Sequence, residues 1–131
     1  MESEVTFYDY VDASGSNIIH EWLDTLPVQV KVKLNNILVH LEATKVSNWT
    51  RPFVDTLTDE CQGLFELRAK RGRIQYRILG AHGPGRNMPT LLHGIIKGGD
   101  AVPPAECDET FSRKDLVNRS PFQRRVEHNY G

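Results

Sequence analysis

Apolar and polar residues alternate most regularly over residues 63–97, GLFELRAKRGRIQYRILGAHGPGRNMPTLLHGIIK. Phe65, Leu67 and Ala69 fall on one side of an extended chain, with Leu64, Glu66, Arg68 and Lys70 on the other. A second run sets Ile74, Tyr76 and Ile78 against Arg73, Gln75 and Arg77. Period-two alternation predicts half-buried strands. Arg71-Gly72 supplies the turn between them, because glycine takes a positive φ at little steric cost. The result is a hairpin with one apolar face and one arginine-rich face. A third strand is predicted over residues 90–97. With Lys97 on the arginine side, Leu91, His93 and Ile95 share that side, and Leu92, Gly94 and Ile96 face the other way. The loop before it carries His82 and Arg86 and the helix breakers Gly83, Pro84 and Gly85. It reads equally as a cover for a ligand or as a solvated hairpin tip.

Upstream, residues 5–11 predict a first strand, and residues 12–16 a turn around Gly15. Ser16 or Asn17 can cap a short helix, in which Ile18, Ile19, Trp22, Leu23 and Leu26 keep helical spacing up to a Leu26-Pro27 break. Trp22 reads as a core residue in preference to a stacking platform for a base. Proline suits a helical first turn, and Val30, Leu34, Ile37, Leu38 and Leu41 mark the stripe of a second helix ending near Ala43. Two apolar stripes joined by a tight break predict a helical hairpin laid on the sheet. Residues 45–62 read as a connection. Pro103-Pro104 starts a last helix, with Glu106, Asp108 and Glu109 in its early turns, where the helix dipole favours acids. Residues 118–131 are polar and aperiodic. The expectation is an α+β domain over residues 1–117, with an antiparallel sheet covered on one face by the helical hairpin, and a loose tail over 118–131.

Composition places the chain among globular proteins: 131 residues, 39% apolar and 25% charged. Its net charge of −1 conceals an asymmetry. Residues 63–99 hold seven cations and one carboxylate, a net +6, whereas residues 1–62 hold four cations and ten carboxylates, a net −6. A basic sheet in an acidic remainder suits a phosphate-bearing ligand. Cys61 and Cys107 lack paired or CxxC spacing, so neither a disulfide framework nor a zinc site is expected, and both are taken as free thiols of a reducing compartment. No run approaches the ~20 apolar residues of a membrane span, and the acidic start MESEVTFYDY lacks a signal core. A cytoplasmic location and no membrane partner are expected.

The helical stretch IIHEWLDTLPVQVKVKLNNILVHLE with Leu-Pro at its bend, then GLFELR, YRIL and LHGIIK in that order, then a proline-led last helix, together resemble the RelE/ParE toxin superfamily, and within it the HigB-like phage-derived toxins. The resemblance spans residues 5–116. It implies a RelE-like fold and the toxin of a type II toxin–antitoxin pair, neutralised by a cognate antitoxin protein. It further implies an endoribonuclease that cuts mRNA on the ribosome with no metal and no small-molecule cofactor. In that reaction the substrate's own 2′-hydroxyl attacks the adjacent phosphorus. The enzyme must neutralise the extra charge and move two protons, work suited to guanidinium groups and a general acid and base.

Arg68 and Arg77 match the positions at which the family carries basic sheet residues, and Lys97 matches its first basic residue after the last strand. Glu66 and His93 are the candidates for proton transfer, although a histidine set among Leu and Ile is more commonly structural. Lys70, Arg73 and Arg86 are expected to touch the RNA backbone. The chain departs from the HigB-like pattern at Gly98, where those toxins usually carry a second basic residue, and Gly99 and Asp100 follow. It also lacks a tyrosine at the start of the last helix. Two alternatives come from other functional classes: a DNA gyrase inhibitor of the ParE type, and a catalytically inactive phage-derived binding protein.

Overall fold

A computed structural model of the chain describes residues 4–97 and 101–130, with the side chain of Lys97 also outside the described part. Six strands form one sheet: β1 (Tyr8–Tyr10), β2 (Asp55–Thr56), β3 (Phe65–Arg71), β4 (Ile74–Ala81), β5 (Thr90–Lys97) and β6 (Arg125–Glu127), in the spatial order β2-β3-β4-β5-β1-β6. The helices are α1 (Ile18–Asp24), α2 (Val28–Glu42), α3 (Pro104–Arg119) and the single turn α4 (Pro121–Arg124). The α+β class is as expected.

The central hairpin follows from its alternation. β3 and β4 pair antiparallel from Phe65↔Gly80 to Arg71↔Ile74, leaving Gly72 and Arg73 as a two-residue turn. Gly72 has φ +62°, the conformation that a first turn position of this kind demands. Leu67, Ala69, Tyr76 and Ile78 join one buried cluster with Ile19 and Leu23 of α1 and Val30, Leu34, Leu38 and Leu41 of α2. Asn17 caps α1, its side chain accepting from the His20 amide at 2.9 Å. Trp22 packs against this cluster, as its spacing implies. It lies over Gly94, where a Cβ would come within 2.2 Å of the indole.

Several expectations need correction. The sheet is mixed, because β1 runs parallel to β5 and antiparallel to β6. Alternation reports which face a residue takes, and carries no information on a strand's direction or neighbour. Second, both faces are covered: Tyr10, Leu64, Ala81 and Leu92 form a second buried cluster with Cys107 and Val117 of α3. Third, the register shifts between Leu79 and Gly80, so that Leu79 opposes His93 and Gly80 opposes Leu91. The extra residue, Leu92, makes a β-bulge. It turns Leu91 into the α1–α2 cluster and Leu92 towards α3. Fourth, Cys61 and Cys107 are disulfide-bonded, with Cα atoms 5.4 Å apart across 46 residues of sequence. Wide spacing in sequence is no barrier once a 3-10 turn (Asp59–Cys61) lies against α3.

Residues 118–130 are likewise no loose tail. They finish α3, form α4 and supply β6, whose three residues pair with β1. Arg125 donates to the carbonyls of Met88 (2.8 Å) and Pro84 (2.6 Å) and to the Thr90 hydroxyl (2.9 Å), and lies 4.1 Å over the Tyr8 ring. It therefore holds the 82–89 loop to the sheet. His128 is buried: its Nδ1 lies 2.7 Å from Asp9 Oδ1 and its Nε2 3.0 Å from Asn35 Oδ1. Asn17 donates to the other oxygen of Asp9 at 3.0 Å. This buried carboxylate is thus satisfied from two distant points along the chain, and Asn35 in turn holds the far side of His128. Leaving a buried carboxylate without one of its hydrogen-bond partners costs about 3 kcal/mol. His128→Ala is therefore expected to lower the free energy of unfolding by roughly that amount, read from urea midpoints against wild type. A loss near zero would return this segment to the status of a tail.

Candidate functional site

The arginine-rich face of the hairpin is mostly interior. Arg68 and Arg77 stand directly opposite each other on β3 and β4. Like charges so placed repel, and a carboxylate on the same face resolves the conflict. Glu66 Oε1 accepts from Arg68 Nε (2.9 Å) and Nη2 (2.7 Å), while its Oε2 lies 3.7 Å from Arg77 Nη1. Arg77 Nη2 also donates to Gln75 Oε1 at 2.7 Å. The side chain of Arg77 is 0% exposed and that of Glu66 1%, whereas Arg68 is 33% exposed. The expected open basic face is therefore a closed ion network with one guanidinium at the surface.

That guanidinium opens into a cleft of about 660 Å³ at the β2 edge, lined by Lys33, Arg51, Phe53, Asp55, Glu66, Arg68 and Lys70. Asp55 pairs with Glu66 in the β2–β3 register. It forms an ion pair with Arg51 and lies 4.0 Å from Arg68. A second depression of about 320 Å³ shares Arg51, Asp55, Glu66 and Arg68 and runs on past Asp59 and Glu60 to Cys61. The arrangement can hold a phosphate in the fork of Arg68, whose plane is fixed by two bonds to Glu66. Among the described residues, no group of three or more His, Cys, Asp or Glu side chains gathers as a metal site.

The other candidates are dispersed. Lys70 lines the cleft. Arg73 is exposed in the hairpin turn. Arg86 lines a separate depression with Glu4 and Lys45. His93 is on the arginine face but engaged by α3, where Nε2 meets Glu106 and Nδ1 lies 3.2 Å from Arg113 Nη1. Arg113 also donates to the Leu92 carbonyl at 2.9 Å. Neither ring nitrogen of His93 faces the cleft. Lys97 closes β5 opposite Gln75, with its side chain outside the described part, as are Gly98, Gly99 and Asp100. Sequence reasoning missed Arg51 and Asp55, which sit in an aperiodic connection where no spacing rule marks them. β2 itself is two residues long, too short to show alternation.

The family model of the phage-derived Gp49-like proteins (DUF891) matches residues 21–115. The chain belongs to this family. Gp49-like proteins are a RelE/ParE-like, phage-derived toxin-like family, and the mixed α+β sheet of this member is compatible with a RelE-like fold. The match begins within α1 and ends within α3. It therefore takes in the hairpin and the cleft and leaves out β1 and β6. No curated relative matches the chain. Among the described residues, no helix of this Gp49-like protein is long and apolar enough to cross a membrane.

Two outcomes are expected. Glu66→Gln leaves two cross-strand guanidiniums without their shared anion, and should destabilise the fold by on the order of 3 kcal/mol in denaturant unfolding. An unchanged midpoint would show that Glu66 does not hold the arginines together. His82 lies against both the Trp49 and Phe65 rings, with centroids 5.4 and 5.1 Å away. The residue stays open to solvent, but partial desolvation against these rings, and then the charge of Lys114, push its imidazole below the usual histidine range. The unfolded chain therefore binds a proton more readily. The stability tied to this group is present above the unfolded pKa of about 6.5 and is lost as pH falls through the folded value. His82→Phe should accordingly lose less stability than wild type between neutral pH and pH ~5, measured by urea midpoints at both; equal losses would dismiss the effect.

Proposed function

We propose that this Gp49-like protein is the toxin of a type II toxin–antitoxin pair. In this reading it acts in the cytoplasm as a HigB-like mRNA endoribonuclease that blocks translation at the ribosome and is silenced by a cognate antitoxin. The observation that carries the reading is the half-open guanidinium of Arg68, braced by a buried Glu66 at the floor of a cleft rimmed by Lys33, Arg51 and Lys70. RNA cleavage by its own 2′-hydroxyl asks the protein for charge stabilisation and proton transfer at a held phosphate. Arg68 meets the non-bridging oxygens, and Arg77 and Glu66 set its orientation. The cations at the rim hold flanking phosphates. Asp55, 25% exposed and beside Arg68, is the carboxylate placed to accept the 2′-hydroxyl proton. Lys97 enters the scheme from the family resemblance. His93, tied to Glu106 and Arg113, serves by fixing β5 to α3.

One observation favours a second reading, in which the protein binds a target, as a ParE-type gyrase inhibitor does, without cutting RNA. Arg77 is fully buried and His93 is held by α3, so only part of the expected catalytic set reaches the cleft.

Inducible expression in bacteria, wild type beside Arg68→Ala and Asp55→Asn, with growth and mapped mRNA 5′ ends followed together, separates the readings. The nuclease reading expects growth arrest with new mRNA ends. It expects both to fall by about 100-fold or more in Arg68→Ala, in protein whose circular dichroism matches wild type. Arrest without new ends, undiminished in Arg68→Ala, would replace cleavage by target binding. No arrest from folded wild type would leave an inactive member of the family.

A further inference from the structure

The sheet ends at β2 on one side and at β6 on the other. β2 has two residues and borders the cleft, whereas β6 presents an open edge. Val11 N donates to the Arg124 carbonyl at 2.8 Å and His128 N to the Phe7 carbonyl at 2.9 Å, and Val126 pairs with Asp9 between them. In an antiparallel ladder the backbone groups of every second residue point to the same neighbour. Residues 124, 126 and 128 therefore face β1, and Arg125 and Glu127 turn their N–H and C=O groups outward, where a further strand would bond them. Three side chains mark the same edge. Arg125 is 8% exposed, and its partners are two carbonyls, the Thr90 hydroxyl and the Tyr8 ring, with no carboxylate among the described residues. Buried charges are rarely left without a counter-ion. Val126, on the opposite face of the strand, is 46% exposed. Phe122 is fully exposed and, with Tyr8, Pro84, Met88 and Pro121, lines a recess of about 550 Å³ beside β6. An aromatic ring left in water next to an apolar recess is the mark of an interface.

We propose that two copies of this protein join β6 to β6 about a two-fold axis at Val126, merging their sheets into one. The run Arg125-Val126-Glu127 is complementary to itself in this arrangement. Antiparallel pairing sets Arg125 opposite the partner's Glu127, and Glu127 opposite the partner's Arg125. Each of these pairs exchanges both of its outward backbone hydrogen bonds. The same pairing brings Arg125 the carboxylate that its own chain does not provide. The two valines meet across the axis as a non-hydrogen-bonded pair, with Cα atoms about 4.5 Å apart, and the approaching copy shields Phe122 and its recess from water. A two-fold contact of this kind is isologous: it consumes the β6 edge of both copies, so assembly closes at two. The clefts beside Arg68 lie at the β2 ends of the joined sheet, far from the axis, and both stay open. The inference therefore stands apart from the toxin reading and from any cleavage.

Sedimentation equilibrium of the full chain across the micromolar range should give twice the chain mass. Glu127→Pro removes an outward N–H and the carboxylate offered to Arg125, and spares the groups that bond β1. Phe122→Ser removes the exposed ring. Each should raise the dissociation constant of the dimer about tenfold or more, in protein whose circular dichroism matches wild type. Val126→Cys tests the register independently of these variants. At the axis the two introduced thiols fall within disulfide reach, so oxidised glutathione should give a covalent dimer on a non-reducing gel. Glu127→Cys places its two thiols on either side of the axis, with Cα atoms more than about 7 Å apart, and Val39→Cys places them on α2, away from the edge. Neither should cross-link at a comparable rate. The proposal is overturned if wild type sediments as a monomer throughout, if neither Glu127→Pro nor Phe122→Ser weakens the dimer, or if Val126→Cys cross-links no faster than the two control variants.

Discussion

Two arginines face each other across β3 and β4, one wholly buried, and the hairpin is stable because Glu66 lies between them. A lone buried guanidinium would cost several kcal/mol. Here the carboxylate accepts two hydrogen bonds from Arg68 on one oxygen and faces Arg77 with the other, and Gln75 Oε1 accepts a hydrogen bond from Arg77. The rest of the site is arranged around this group. β2 pairs along β3 and brings Asp55 opposite Glu66. The connection before β2 then carries Arg51 to the same edge. Because Glu66 fixes the plane of Arg68 before any ligand arrives, a bound phosphate need not order that side chain itself, which is what preorganisation means energetically.

The two faces of the sheet do different work. α1 and α2 close one face with aliphatic side chains, and Gly94 lets Trp22 approach the backbone. α3 closes part of the other, held by the His93–Glu106 contact, by Arg113 and by the disulfide. A cross-link spanning 46 residues removes about 4 kcal/mol of chain entropy from the unfolded state in the loop-closure picture. It also anchors the 3-10 turn at the far end of the cleft, so the cleft wall is tied to α3 by covalent bonds as well as by packing.

Much of this was legible from residue order. The hairpin, the stripes of α1 and α2, the proline-led α3 and the core role of Trp22 all follow from local periodicity and punctuation, and the structure places them so. Arg68 and Lys70 at a ligand-sized cleft were likewise within reach of charge counting. What escaped had non-local causes. The burial of Arg77 depends on what covers β4, which no alternation pattern records. β2 and β6 are too short for periodicity to mark, and a polar sequence such as RVEH reads as tail until Asp9 and Asn35 are seen to receive His128. One bulge at Leu92 was enough to swap the facing of its neighbour. The cysteine pair was hidden for the same reason: contact between a turn and a distant helix has no signature in spacing.

The position of β1 has a consequence for how the protein comes into being. This strand lies between β5 and β6, and its Asp9 is completed by a residue 119 positions later in the chain. During synthesis the first strand meets β5 only after residue 97 has been made, and β6 only after residue 127. Contacts of such sequence separation are slow to form, and growing chains acquire structure from the N-terminus onward. The nascent polypeptide therefore carries an unfinished sheet, and an Asp9 that lacks its His128 partner, until residues 125–128 emerge. The finished sheet therefore arrives only when β6 closes beside β1, the last of its pairings to become possible.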